Sequence, residues 1–115
     1  MFPSQREFLR HILDECRFIL RVSAGKSSQD TFSDETLCRA IVRSLEIIGE
    51  ATKRLDDEFR LKYPHVEWKK MAATRDVMIH DYFGIDYDVV WSIIKDKLPD
   101  LEHHLQEIIE GLNGY

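Results

Sequence analysis

The chain has 115 residues, 43% of them hydrophobic and 32% charged, with a formal net charge of −5. That length suits one domain, residues 1–115, burying roughly two-thirds of its unfolded surface, and the composition is globular rather than disordered. The acidity excludes a general nucleic-acid coat. No apolar run approaches the roughly 18 residues that cross a bilayer, so no membrane contact is expected.

The amino-terminal segment MFPSQREFLR has no long apolar stretch and no small-residue cleavage site, so the expected location is cytoplasmic. Pro3 suits a helix start, and Phe8, Ile12, Cys16 and Ile19 recur at helical spacing up to Ala24-Gly25. GKSSQDTF reads as a polar loop. Ser33 is the expected N-cap of a second helix, with Asp34 and Glu35 in its first turn, where negative charge meets the positive end of the helix dipole. Leu37, Ile41, Leu45, Ile48, Thr52, Leu55 and Phe59 continue the stripe, which predicts one helix to about Lys62, stopped by Pro64. Such a rod would be about 40 Å long. It would overhang its own domain and want a partner surface.

A third helix is predicted from near Glu67, carrying Trp68, Met71 and Ala72, and continuing through Val77 and Met78. DYFGID interrupts it. Asp86 is a candidate cap for a fourth helix with Val90, Trp91, Ile93 and Ile94. Leu98-Pro99 is expected to break that helix, and Pro99 to begin a last one with Leu101, Leu105, Ile108, Ile109 and Leu112. With no convincing strand alternation, the fold class is all-α, an antiparallel bundle of four to five helices.

Cys16 and Cys38 lie in apolar surroundings without C-x-x-C spacing and read as packing residues. Trp68 and Trp91 read as core. His103 and His104 are adjacent, so they point about 100° apart on a helix and chelate poorly. His11 and Glu15 share a face but supply only two ligands. Glu46 and Glu50, four apart beside Gly49, lack the Glu-x-x-His spacing of di-iron bundles. No metal and no cofactor is expected.

Charge is unevenly spread. Residues 1–38 carry 5 basic and 6 acidic groups, residues 39–75 carry 9 and 6, and residues 76–115 carry 2 and 9. Only the middle third would welcome a polyanion, and it ends at Arg75.

Arg75 opens the stretch RDVMIHDY, which also holds His80 and Tyr82. A guanidinium offers a permanently charged fork for phosphate oxygens, and an imidazole can exchange a proton near neutrality. Together they suffice for RNA cleavage without metal. The ribose 2′-hydroxyl is the nucleophile, the imidazole takes its proton and the guanidinium stabilises the crowded phosphorane. Asp76 and Asp81 could orient the histidine. On a straight helix, however, His80 lies about 140° round from Arg75. Either the helix ends or bends near Ile79-His80, or the long arginine reaches across, or a second copy of the chain completes the site.

The pattern R-x4-H-x-Y, formed by Arg75, His80 and Tyr82, resembles the signature of the HEPN superfamily, specifically its HepT-like branch. SLEIIGEATKRL (44–55) resembles that branch's L-E-I-I-G-E-A-x-K, and residues 66–109 are similar to it nearly throughout. The resemblance implies a HEPN-like helical dimer with the motif lining a cleft between protomers. It implies a toxin-type, metal-independent endoribonuclease acting on RNA, with Arg75 and His80 as the catalytic pair. Asp76 falls at the polar position after the arginine. Glu50, read from its own place on the long helix, is expected to make a structural hydrogen bond or to support the cleft. The resemblance also implies a partner, an MNT-type nucleotidyltransferase antitoxin, that silences the toxin by transferring AMP to Tyr82. The competing expectation is a non-catalytic helical dimer that binds RNA or the nucleotidyltransferase without cutting. An intact Arg–His pair favours the enzyme, and net acidity favours the binding module.

Overall fold

A computed structural model describes residues 4–80 and 84–113, with the side chains of residues 77–80 and 113 outside the description. Every regular element among the described residues is helical: α1 (Gln5–Ser23), α2 (Ser28–Ser33), α3 (Glu35–Lys53), α4 (Asp57–Lys62), α5 (Trp68–His80), α6 (Tyr87–Ser92), a π-helical turn (Ile93–Lys97) and α7 (Leu98–Asn113). The all-α class follows. The bundle consists of four legs, α1, α3, α5 and the continuous run from α6 to α7, with α2 and α4 as short additions. Among the described residues, no helix is long and apolar enough to cross a membrane.

The core lies where α1, α3 and the last leg meet. Leu9, Ile12, Cys16 and Ile19 of α1, Ile41 of α3, and Val90 and Leu105 of the last leg are fully buried. Each large aliphatic side chain of this kind contributes about 1.5–3 kcal/mol. Buried hydroxyls are satisfied locally: Thr52 Oγ1 donates to the Ile48 carbonyl at 2.7 Å and Ser23 Oγ to that of Ile19 at 2.7 Å. α1 begins with Ser4 as N-cap, its hydroxyl accepting from the Glu7 backbone N–H. It ends before Gly25, whose φ of 73° is the left-handed conformation a helix terminus favours in glycine.

Several expectations are corrected. The predicted 33–62 rod is two helices. α3 stops at Lys53, the Arg54 and Leu55 amides donate to the Ala51 and Thr52 carbonyls in a tighter turn, and Asp56 starts α4 in extended geometry. The Asp56 backbone N–H donates to Gln5 Oε1 at 2.8 Å, so the first residue of α1 latches the turn. At 19 residues α3 is roughly 28 Å long, and the overhang that would want a partner is gone. Second, the expected loop contains α2, capped by Ser27 and anchored by the buried Thr31. Asp34, not Ser33, caps α3, accepting from the Leu37 N–H at 3.0 Å.

Third, Leu98-Pro99 does not break the last leg. Proline lacks the N–H that an α-helix would donate to the Lys95 carbonyl, and its ring crowds that carbonyl. A π-turn absorbs the defect: the Leu98 N–H reaches back to the Ile93 carbonyl, and the helix continues. Asp86 does cap α6, accepting from the Asp88 and Val89 amides. Trp68 is core, with its indole N–H donating to the Tyr63 carbonyl at 2.9 Å, whereas Trp91 is only half-buried beneath the Lys95 ammonium.

Candidate active site on helices α3 and α5

α3 packs against α5, and Gly49 lies in their contact. A Cβ on Gly49 would lie 2.5 Å from the Arg75 Cβ and 2.8 Å from its backbone nitrogen, so only glycine permits this approach. The contact draws Arg75 onto the polar stripe of α3 formed by Arg43, Glu46, Glu50 and Lys53, which recur at steps of three and four.

Arg75 Nε lies 3.5 Å from Glu50 Oε1, and the side chains are 37% and 39% exposed. Nε itself is buried and, among the described residues, makes no hydrogen bond. The contact is therefore electrostatic, with a donor still seeking an acceptor. Arg43 Nη1 approaches the same Glu50 oxygen at 3.7 Å and Glu46 Oε2 at 3.2 Å. One turn further, Lys53 Nζ pairs with Asp76 Oδ1 at 2.9 Å. Three cations thus face three carboxylates, which leaves the stripe charge-balanced.

Of the predicted site residues, the fold brings Arg75 and Glu50 together and ties Asp76 to α3 through Lys53. Helix α5 reaches His80 as its last residue, and regular helix geometry puts the His80 backbone about 7.5 Å along the axis and about 140° round from Arg75. Tyr82 and the side chain of His80 lie outside the described residues.

Residues 12–108 match the family model described as Ribonuclease HepT-like. The chain belongs to the HepT-like ribonuclease family. It is 48% identical to a protein of Caldanaerobacter subterraneus subsp. tengcongensis named as a candidate RNase, over 91% of this chain and 94% of the relative. A candidate RNase of Methanocaldococcus jannaschii is 40% identical, covering 95% of this chain and 90% of its own. A Thermococcus cleftensis protein whose name ranks it as a candidate ribonuclease HepT is 32% identical, with 94% and 98% covered. No solved structure matches the chain.

Within this HepT-like chain, three contributors to the Arg75 site went unread in the sequence. Gly49 carried the only visible signal, a glycine inside a helix where alanine would propagate better, which often marks a close packing contact. Arg43 and Lys53 resemble ordinary exposed helix charges, and their roles depend on the approach of α5.

A cavity of about 340 Å³ lies between α3, α5 and the last leg, floored by Leu45, Ile48 and Leu101, with His65, Glu67 and Lys97 at its lining. Neither Arg75, Glu50 nor Asp76 lines it. His65 and His104 meet edge to face there, with ring centroids 4.8 Å apart, while His103 pairs with Glu107. Among the described residues no group of three His, Cys, Asp or Glu side chains could hold a metal ion.

Cys16 is the packing residue expected. Its thiol donates to the Leu98 carbonyl at 3.3 Å, and burial, assisted by the Glu102 charge, pushes its pKa up to about 12. Cys38 is half-buried and bonds the Tyr87 hydroxyl, which raises the Tyr87 pKa.

Proposed function

We propose that this HepT-like chain is a toxin-type endoribonuclease that cuts RNA without metal. The observation that carries the reading is the Arg75 guanidinium, held against Glu50 and partly exposed, on the same helix as His80. In a chain of this family, that is a phosphate grip beside a proton carrier. His80 takes the proton of the ribose 2′-hydroxyl, whose oxygen attacks the adjacent phosphorus. The bond from phosphorus to the 5′-oxygen breaks, and that oxygen takes a proton from solvent water as it leaves. The products are a 2′,3′-cyclic phosphate and a 5′-hydroxyl. Arg75 offsets the charge that builds on the phosphorane oxygens, and Glu50 and Asp76 support the pair. The substrate supplies the nucleophile, so no metal hydroxide is needed, and DNA resists.

The working unit is a homodimer of single-domain chains in the cytoplasm. The angle that regular helix geometry sets between Arg75 and His80 on α5 supports this, since two copies of the motif facing one cleft bring an arginine of one beside a histidine of the other. The partner is an MNT-type nucleotidyltransferase antitoxin, and its AMP goes onto Tyr82. An added phosphodiester there would place negative charge where an RNA phosphate should sit and offer Arg75 a substitute. The charge-balanced stripe is the one observation that favours a module binding the nucleotidyltransferase without cutting, because balanced charge holds RNA weakly.

Single-stranded RNA incubated with the protein in EDTA decides between the two. Cleavage with 2′,3′-cyclic phosphate ends is expected, and Arg75→Ala and His80→Ala should each abolish it and relieve growth arrest with helical circular dichroism unchanged. A strict magnesium requirement would overturn the mechanism. Incubation with ATP and the cognate nucleotidyltransferase should add AMP mass to Tyr82, and modification confined to other tyrosines would remove the switch.

A further inference from the structure

Two guanidinium groups converge on one carboxylate oxygen: Arg75 Nε at 3.5 Å and Arg43 Nη1 at 3.7 Å from Glu50 Oε1. Like charges so close repel, and the shared carboxylate offsets the repulsion without satisfying either partner. Among the described residues Arg75 Nε is a buried donor with no hydrogen bond, a state that costs free energy and is rare unless a further partner completes it. Arg43 is 60% exposed and anchored at its other contact to Glu46. It can therefore turn toward a ligand without disturbing the core.

Resting on the ribonuclease reading above, we infer that Arg43 is a second phosphate-binding residue, taking the RNA phosphate next to the one that is cut. Its capture by that phosphate releases Glu50 to close on Arg75. Once the Arg43 guanidinium leaves Oε1, the carboxylate needs to close the 3.5 Å gap by about 0.6 Å to accept the Nε–H at an ordinary hydrogen-bond distance of about 2.9 Å. A carboxylate bond at Nε fixes the guanidinium plane, so the neighbouring phosphate orders the group that meets the scissile one. Glu50 is a positioning residue in this scheme, and Arg43 touches substrate. No covalent step is involved. The charge balance of the stripe fits the scheme, because a phosphate arriving at Arg43 replaces a carboxylate rather than adding to a field.

The variant is Arg43→Gln, at an exposed position where folding is not at stake, with Arg43→Lys as the charge-keeping companion. Binding of a fluorescein-labelled 2′-deoxy oligonucleotide, which cannot be cut, is followed by anisotropy across salt concentration. Losing one phosphate contact should weaken binding roughly tenfold and lower the slope of log K against log salt by about 0.7. Arg43→Lys should restore the slope. In cleavage, the advantage in kcat/KM of a tetranucleotide over a dinucleotide, which has no neighbouring phosphate, should collapse in Arg43→Gln. An unchanged salt slope with an unchanged length advantage overturns the inference. Wild-type protein that binds the deoxy oligonucleotide through Arg43 but cuts no RNA leaves the phosphate contact standing and sinks the nuclease reading instead.

Discussion

Gly49 and Arg75 are in contact across helices α3 and α5 so closely that the space of a single methyl group is missing between them. Two effects oppose each other at this glycine. Alanine would stabilise the interior of α3 by about 1 kcal/mol through helix propensity. A Cβ 2.5 Å from the Arg75 Cβ and 2.8 Å from its backbone nitrogen must instead push α5 away, because backbone cannot swing aside as a side-chain tip can. Overpacking of this kind costs about 1–3 kcal/mol, so the clash wins. Gly49→Ala should lower stability in urea denaturation and reduce RNA cleavage more than a remote core variant of equal stability loss, such as Ile109→Val. A Gly49→Ala protein more stable than wild type would show that the two helices do not meet here.

Glu50 separates charge from shape. Glu50→Gln keeps the volume and an oxygen acceptor but removes the charge that offsets Arg43 against Arg75. Both side chains are more than a third exposed, so the stability change should stay within about 0.5 kcal/mol. Activity should suffer more. With the guanidinium no longer held, kcat in RNA cleavage should fall about ten- to a hundredfold while KM moves little, as expected of a group that orders a transition-state contact. Equal activity of Glu50→Gln and wild type would leave Glu50 without a role at the site.

How much was legible in the sequence differs by element. The apolar stripe from Leu37 to Phe59 was read correctly as one buried face, and Ile41, Leu45, Ile48, Thr52, Leu55 and Phe59 are all buried. Its continuity concealed the turn at Arg54, because α3 and α4 present their apolar sides to the same core and keep the spacing across the break. Asp56-Asp57-Glu58 was the available stop-and-start signal, an acidic helix beginning without the glycine or proline that usually punctuates one. α2 was invisible because six residues are too few to show a period. Pro99 misled in the opposite direction, since a π-turn can carry a helix past a missing donor. At the site, the motif singled out Arg75 and spacing drew attention to Glu50, but the closeness of Gly49 and the sharing of Glu50 with Arg43 arise only when α5 packs on α3. No local pattern encodes that.

The two cysteines should differ sharply in reactivity. Cys16 is fully buried, its thiol bonded to the Leu98 carbonyl, and its pKa is pushed from 9.0 to about 12 by burial and then by the Glu102 charge. The thiolate is the reactive form, so native Cys16 should resist iodoacetamide at pH 8 while half-buried Cys38 is alkylated. The folded state holds this proton more tightly than the unfolded one. Cys16 thus contributes stability that is complete below pH 9.0 and is lost as pH rises toward 12. Mass spectrometry after a timed alkylation checks the first point, and rapid labelling of Cys16 in the native protein would contradict its burial.

Glu67 should give the opposite pH dependence. Its carboxylate receives Lys70 Nζ at 2.8 Å and Lys97 Nζ at 3.2 Å, so it straps the start of α5 to the π-turn. The Lys70 hydrogen bond, followed by that of Lys97, holds its pKa below the ordinary 4.5. A carboxyl depressed in the folded state stabilises above its unfolded pKa, and the contribution disappears as acid titrates the folded group. Glu67 is exposed, so water and salt screen the effect and its size is small. Thermal melts of wild type and Glu67→Gln, compared from pH 7 downward, should differ above pH 4.5 and converge below it, and the gap should narrow in 1 M salt. Melting curves that stay parallel through the carboxylate range would mean that the two lysines reach Glu67 without stabilising the fold.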